Sequence, residues 1–481
     1  MKYRDELVRA MEWLGEKPNT IFTGQAIALS GHAISGTMEK VPKEKRIELP
    51  VFEETQLGMA TGLALEGFVP ITCYPRFDFF ILAMNQLVNH LDKMREMTWP
   101  LINDNITQRD REVLADFCLN GKRFTNGEKV KEFEKVWSEW LGVKHSVMVN
   151  SGASANFISI AMVKELKGIG EVIVPPIGWV SDISSVAQLG MKPVFVDVSL
   201  NDFNITAENI KRAITKDTKA IVLVHTLGFN GMTDEIVKLA KENDIILIED
   251  CCEAHGAEWG NKKVGSIGDI SLFSFYFGHH ITTIEGGTVC VNDDKLYDLA
   301  KLFRSHGMTR EASPELQEKY QLMHRDLNPL FTFAVAGFNM RSTELNAVLG
   351  LEQMKRLDYN IKCRKLNLYN WLKHLNPSKF ITSFNVQGNS NFALPLMMQS
   401  ITRDKLKDVC DILTENGVEY RLGTAGGGNQ ARQPYLKNFP HKVVGSLAHA
   451  NYIHENALYI GNHPELTKEQ IIDLCKKLNN V

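Results

Sequence analysis

The residues able to do chemistry in this chain sit in short polar stretches, each placed after a run of apolar, β-rich sequence. Asp250-Cys251-Cys252-Glu253-Ala254-His255-Gly256 follows IILIE. An acid at the end of a wholly apolar strand needs a partner such as a protonated ring nitrogen, unless it merely caps the next turn. Ser274-Phe275-Tyr276-Phe277-Gly278-His279-His280 follows DISLF. Two adjacent histidines without further ligands at suitable spacing make a poor metal motif, so no metal site is expected. Ser151-Gly152-Ala153-Ser154-Ala155-Asn156 follows VMVN. This small-residue turn opens a helix whose free amides and dipole suit a phosphate, or it simply caps that helix. Gly178-Trp179 comes shortly after EVIVPP and sets a large flat ring where it can stack on an aromatic ligand or fill the core. Gly337-Phe338-Asn339-Met340-Arg341 precedes a helix and, taken alone, reads as loop punctuation.

These stretches need a scaffold that brings them to one edge. From His145 onward HSVMVN, EVIVPP, KPVFVDV, AIVLVHT, IILIED and DISLFSF alternate with helical segments such as ASANFISIAMVKELKG and TDEIVKLAKEND. That alternation predicts an α/β fold with a mainly parallel sheet buried between helices. In such sheets ligands bind beyond the carboxyl ends of the strands, where the polar stretches after the strands fall. After GFNMRSTELNAVLGLEQMKRL the pattern changes to one strand-like run, NFALPLMM, then a Gly-rich loop, GTAGGGNQARQP, and closing helices. A smaller C-terminal domain is expected there. The first 97 residues differ again and join through TWPLINDNITQ, giving an expected division into 1–97, 98–350 and 351–481.

A chain of 481 residues, 44% apolar and 23% charged, is that of a globular protein with two or three domains. A formal charge of −3 gives no argument for nucleic acid or an anionic membrane as partner. The N-terminus MKYRDELVRAMEWLGEK is charged throughout, and no apolar run approaches a spanning length, so a cytoplasmic protein is the expectation. The eight cysteines lack a C-x-x-C clip and read as reduced thiols.

Taken together, NSGASAN, IEDCCEAHGA, SFYFGHHITTIEGG, FRSHG and GFNMRSTELNAVLGLEQM, in that order over roughly residues 98–481, resemble the DegT/DnrJ/EryC1/StrS family of pyridoxal-phosphate sugar aminotransferases. The resemblance implies an aspartate-aminotransferase (fold type I) architecture and a homodimer. It implies that Gly152, Ala153 and Ser274 bind the cofactor phosphate, Trp179 stacks on its ring and Asp250 pairs with the pyridine nitrogen. Glu253 falls where the family usually has Gln near the ring hydroxyl, and Asn339 would reach the phosphate of the neighbouring subunit. At position 279 the family's Schiff-base lysine is replaced by histidine. That resembles the 3-dehydratase branch, which acts on nucleotide-linked 4-keto-6-deoxyhexoses. The chain shows no C-x-C cluster for an iron–sulfur centre, so it is more similar to the GDP-4-keto-6-deoxymannose 3-dehydratase type, recharged with an amino group from glutamate. Pyridoxal or pyridoxamine phosphate would then be held without a covalent bond, for surface-glycan synthesis. An aminotransferase and a non-catalytic binding relative are the alternatives.

Histidine at 279 has a physical rationale. Lysine moves protons and also displaces a bound amine, whereas histidine, with an ordinary pKa near 7, only moves protons. The sugar would stay attached long enough to eliminate water. Within residues 1–97, LPVFEETQLGMATGLALEGFVPITCYPRFDFFILAMNQLVNHLDKMR resembles the pyrimidine-binding half of thiamine-diphosphate enzymes, most like the beta subunit of 2-oxoacid dehydrogenases. The resemblance puts Glu53 at the thiamine-activating position, with Glu54 as the alternative register. It covers about half of such a domain, and no GDG...N motif follows, so a docking or oligomerisation module is expected, with a partner-completed thiamine site as the other reading.

Overall fold

Strands that are apolar on both faces need cover on both faces, and that requirement shapes most of this chain. The computed structural model describes residues 3–29, 31–84, 86–87, 99–103, 105–399 and 403–481. It divides into two compact units, Met1–Glu96 and Met97–Val481. The expected 97/98 boundary and the stretch VNHLDKMR lie outside the described residues.

In the first unit, β1 (Thr20–Gly24), β2 (Arg46–Glu48) and β3 (Val69–Cys73) form a parallel sheet in the order β2-β1-β3. Phe22, Ile27, Met38 and Val41 form its small core. The turn after β1 is held by Glu48, whose carboxylate accepts the amides of Ala26, Ile27 and Ala28 at 2.6, 2.9 and 2.8 Å. Glu53 opens the helix Glu53–Leu65, is buried and accepts Gln25 Nε2 at 3.1 Å, while Glu54 is exposed.

The second unit contains β4 (His145–Val149), β5 (Glu171–Val174), β6 (Lys192–Val196), β7 (Thr218–Val224), β8 (Ile246–Asp250), the short β9 (Glu258–Trp259) and β10 (Lys262–Lys263), β11 (Ile270–Ser274), β12 (Gly287–Val291), β13 (Ala393–Met397), β14 (Tyr420–Leu422), β15 (Lys442–Val444) and β16 (Ala457–Gly461). Eight of them make one sheet, ordered β15-β6-β5-β7-β8-β11-β12-β4, in which only β12 runs against the rest. The mainly parallel sheet and all six strands expected from 145 to 274 are therefore present. Because β12 is reversed, its first residue, Gly287, pairs with both Ser274 and Val149 and lies at the same edge as the ends of β11 and β4.

The C-terminal part differs from its sequence pattern, which showed one strand. NFALPLMM does form β13, but β14 and β16 join it in an antiparallel sheet ordered β13-β16-β14, and β15 returns to the edge of the large sheet beside β6. β14 and β15 are three residues each, too short to show an alternation, and β16 starts directly at the end of the helix Ala448–Asn456 without an intervening turn. One apolar core runs from the large sheet through Trp371, Phe380 and Leu394 to Leu478, so residue 350 marks no break in packing.

Local signals place the helices that flank the site. Ser151 caps the helix Gly152–Lys167 by accepting Ser154 N at 3.1 Å, and Gly168 at φ +74 ends it. The helix Glu128–Leu141 begins on Glu344, whose carboxylate takes the amides of Gly127, Lys129 and Val130 at 3.0, 3.0 and 2.9 Å. Thus the ELNAVLG segment ties a remote helix to the sheet.

Candidate active site

Each predicted residue after β4, β5, β8 and β11 lies at the carboxyl edge of the large sheet, because each follows directly on a strand that ends there. Gly152 and Ser274 come together so closely that a Cβ on Gly152 would sit 2.6 Å from Ser274 Cβ and 3.3 Å from Cys252 Sγ. A Cβ on Gly287 would lie 2.5 Å from the Ser151 carbonyl oxygen. Only glycine fits either position, and the result is a small-residue cup at a helix N-terminus. Ala153 is exposed at the rim, and Ser274 Oγ accepts Tyr276 N at 3.3 Å. Trp179 is 52% exposed, on the turn after β5 at the carboxyl edge of the sheet, so its ring is not core filler. Asn339 is exposed and accepts Arg341 Nε at 3.1 Å. Its segment bridges to the end of β4, since Met340 O accepts Asn150 N at 3.0 Å.

Beside the cup the site is acidic. Asp250, the last residue of β8, is buried and accepts Cys252 N at 2.9 Å and Asn156 Nδ2 at 3.0 Å. Asn156 Nδ2 also donates to Asp182 Oδ1 at 2.8 Å. Glu253 accepts Leu227 N at 2.6 Å, an amide turned inward by a left-handed backbone at Leu227, φ +52. Burial, against that hydrogen bond and with help from Asp250, raises the Glu253 carboxyl to about 7. Among the described residues neither Asp182 nor Glu253 forms a salt bridge, and the charged neighbours that shift them most are acids. A buried group of carboxyls without a basic partner is costly unless protons or a cationic ligand offset it.

On the other side stand three histidines, His255 and His280 buried and His279 half-buried. His279 lies in the turn after β11, with its ring centroid 5.9 Å from His255 and 5.3 Å from Phe392, and its Nδ1 is buried without a partner. His280 is locked elsewhere: its Nε2 shares a hydrogen bond of 3.2 Å with Ser390 Oγ, and its carbonyl accepts Asn360 Nδ2 at 3.0 Å. His255 and His280 lie 5.0 Å apart. Arg364 underlies the group, donating to the carbonyls of Phe392 at 2.8 Å and His279 at 3.4 Å. Burial, and then the Arg364 guanidinium, lower His279 to about 3, well below the value near 7 expected for a free imidazole. His279 is therefore a neutral imidazole across the physiological range. Burial lowers His255 and His280 as well.

The strand-end pattern did not single out Asn156, Asp182, His255 or Arg364. Asn156 and His255 lie within the polar stretches after β4 and β8, but nothing in their spacing assigns either a role. Asp182 is one helical turn past Trp179, and Arg364 is on a helix that carries no motif. A further cluster, His225, Glu249 and Cys251, brings its ligand atoms within 4.8 Å of one another. Glu249 there accepts the amides of Gly265, Ile267 and Gly268 at 2.8, 2.9 and 2.6 Å, so its oxygens knit a loop together rather than ligate.

The chain belongs to the DegT/DnrJ/EryC1/StrS aminotransferase family, whose profile matches residues 105–479. It is 33% identical over 387 residues, covering 79% of this chain and 97% of the relative, to the GDP-4-keto-6-deoxy-D-mannose 3-dehydratase of Yersinia pseudotuberculosis. Among solved structures, it matches the Escherichia coli GDP-4-keto-6-deoxy-D-mannose-3-dehydratase with bound hydrated PLP at a TM-score of 0.72 and 30% identity, covering 80% of this chain and all of that one. Helicobacter pylori PseC, an aminotransferase of pseudoaminic acid biosynthesis, matches at a TM-score of 0.69 and 26% identity, over 79% and 98% of the two chains. The fold is the aminotransferase fold of these structures, with the mainly parallel sheet expected from the sequence.

Proposed function

We propose that this chain removes the carbon-3 hydroxyl of a nucleotide-linked 4-keto-6-deoxyhexose, using pyridoxal or pyridoxamine phosphate held without a covalent bond. What supports this reading is the set at the strand edge: buried acids that form no salt bridge among the described residues, and a neutral histidine, His279, which the resemblance puts where the family has its lysine. The residues present fit the cofactor, since the glycine-only cup around Gly152, Ala153 and Ser274 suits its phosphate and Asp250 suits a protonated ring nitrogen. When bound, the cofactor supplies an electron sink and carries the amino group. Trp179 covers its ring, Asp250 holds the charge on the ring nitrogen and Glu253, when protonated, donates to the ring hydroxyl as a glutamine would. His279 takes up a proton at a ring nitrogen and returns it as the carbon-3 hydroxyl leaves as water. Having no primary amine, it does not compete for the cofactor's aldehyde. The balanced outcome converts the sugar and glutamate to a 3-deoxy sugar, 2-oxoglutarate and ammonia.

Asn339 would reach the cofactor phosphate of a second copy, making the working unit a homodimer. We read residues 98–350 as the cofactor-binding region, 351–481 as the smaller C-terminal region and 1–97 as a docking or oligomerisation module. A thiamine site at Glu53, completed by a partner protein, is the alternative for that last segment. The similarity to PseC favours a second reading, an aminotransferase that works without lysine. Borohydride reduction of the cofactor-loaded protein followed by intact mass spectrometry tests the main reading. The protein mass stays unchanged if the cofactor is held non-covalently, and a stable adduct on any lysine contradicts it.

A further inference from the structure

Asp182 lies in the helix Ser181–Gln188, three residues past Trp179, and is wholly buried. A single amide nitrogen, Asn156 Nδ2, clamps it to Asp250, at 2.8 Å from one carboxyl and 3.0 Å from the other. The two carboxyls are also within hydrogen-bond reach of each other. Asp182 Oδ2 is buried without a partner and faces the turn at Gly178, where an added Cβ would lie 3.2 Å away. Other titratable groups acting with it include Glu253, Cys252 and Tyr435, whose hydroxyl is likewise buried without a partner. None of them is a cation. Two carboxylates in contact and out of water do not both ionise, because their repulsion adds to the cost of burying each charge. Burial, followed by Asp250, accordingly holds the Asp182 carboxyl well above the ordinary range.

We propose that Asp182 is a positioning residue for the ring-binding acid: it keeps a proton and donates it in a hydrogen bond to Asp250, so that the pair carries one negative charge toward one protonated ring nitrogen. This rests on the reading of Asp250 as the partner of that nitrogen. Asp182 itself touches no ligand. Its proton keeps the Asp250 carboxylate turned toward the ring, and Asn156 keeps the two acids from parting.

The test titrates apo-protein with pyridoxal phosphate and with pyridoxamine phosphate, following tryptophan fluorescence and the absorbance maximum of the bound cofactor. Asp182→Asn retains a neutral donor of the same shape and should bind within about threefold of the unaltered protein, with the same absorbance maximum. Asp182→Ala should bind on the order of tenfold more weakly, the loss expected for one buried hydrogen bond. Circular dichroism checks that both variants are folded. If Asp182→Ala does not fold, infrared spectroscopy decides between the outcomes. At about pH 8.5, above the range in which Glu253 stays protonated, the unaltered apo-protein should show a protonated-carboxyl band that Asp182→Asn lacks. Asparagine binding as weakly as alanine, alanine binding as tightly as the unaltered protein, or an unchanged infrared band would each overturn the proposal. Asp250→Asn separates the two levels: if it binds cofactor with unaltered affinity and absorbance, the ring-nitrogen reading fails, whatever Asp182 does.

Discussion

His279 is half-buried, neutral and unpaired at Nδ1, the state that the base of the proposed reaction would need before it takes up a proton. Replacing it with asparagine should leave cofactor affinity in place and lower dehydration by on the order of a hundredfold or more, read as turnover against cofactor titration. An unaltered rate would move the role to another residue, with His280 examined first, although its bond to Ser390 turns it to other work. His279→Lys should capture pyridoxal phosphate covalently, with a new absorbance band at longer wavelength and a stable borohydride adduct. Glu253 supplies a pH test. Its carboxyl is raised to about 7, so the protonated form, the one that imitates glutamine, is lost as pH rises through that value. Cofactor affinity should fall from pH 6 to 8 in the unaltered protein, and Glu253→Gln should hold it level; matching profiles for the two would remove Glu253 from the ring. At this scale the residues following strands were legible, because a polar residue ending an apolar run has few reasons to be there. Asp182 and Arg364 were not, since only the fold brings them to Asp250 and His279. The environment of His279 was also hidden, because sequence gives a residue type and not the burial that lowers its pKa.

At the level of elements, the turn between β11 and β12, which carries His279, is strained. Ile284 takes φ +71, a left-handed conformation that a β-branched side chain tolerates poorly, and its side chain is half exposed. The turn is held all the same. Thr282 Oγ1 accepts Ile284 N at 2.8 Å, and Asn346 Nδ2 donates to the carbonyls of Thr283 and Glu285 at 2.6 and 3.0 Å. Ile284→Gly should relieve the strain and stabilise the protein by about 1 kcal/mol, a rise in Tm of roughly 1 °C by calorimetry. A lower Tm would mean that the isoleucine side chain contributes more than its backbone costs. The apolar six-strand series from 145 to 274 was readable because parallel strands buried on both faces leave continuous Val and Ile runs. β12 was not read, because GGTVC is short and its glycines give no strand signal. In the structure Gly287 is the start of the strand, and the close approach of Ser151 is what demands a glycine there.

For the whole molecule, the matched family region and the candidate site both lie in Met97–Val481, while the first unit has its own sheet and core. A protein starting at Trp99 should therefore fold, bind pyridoxal phosphate and keep its turnover, with any change confined to oligomeric state or partner binding. Loss of cofactor affinity in a folded truncation, measured by fluorescence titration, would show that the first unit supports the site. Among the described residues no helix is long and apolar enough to cross a membrane. The expected division at residue 350 falls within one continuous core, because the C-terminal segment lends β15 to the large sheet and shares its core. What separates the two enzymatic readings of the molecule is the fate of the amino group. The direct measurement is mass spectrometry of the small molecules formed by the purified protein with pyridoxal phosphate, glutamate and a panel of nucleotide-linked 4-keto-6-deoxyhexoses. A 3-deoxy sugar nucleotide, with ammonia and 2-oxoglutarate in equal amounts, is the predicted result; an amino sugar with 2-oxoglutarate and no ammonia would contradict it.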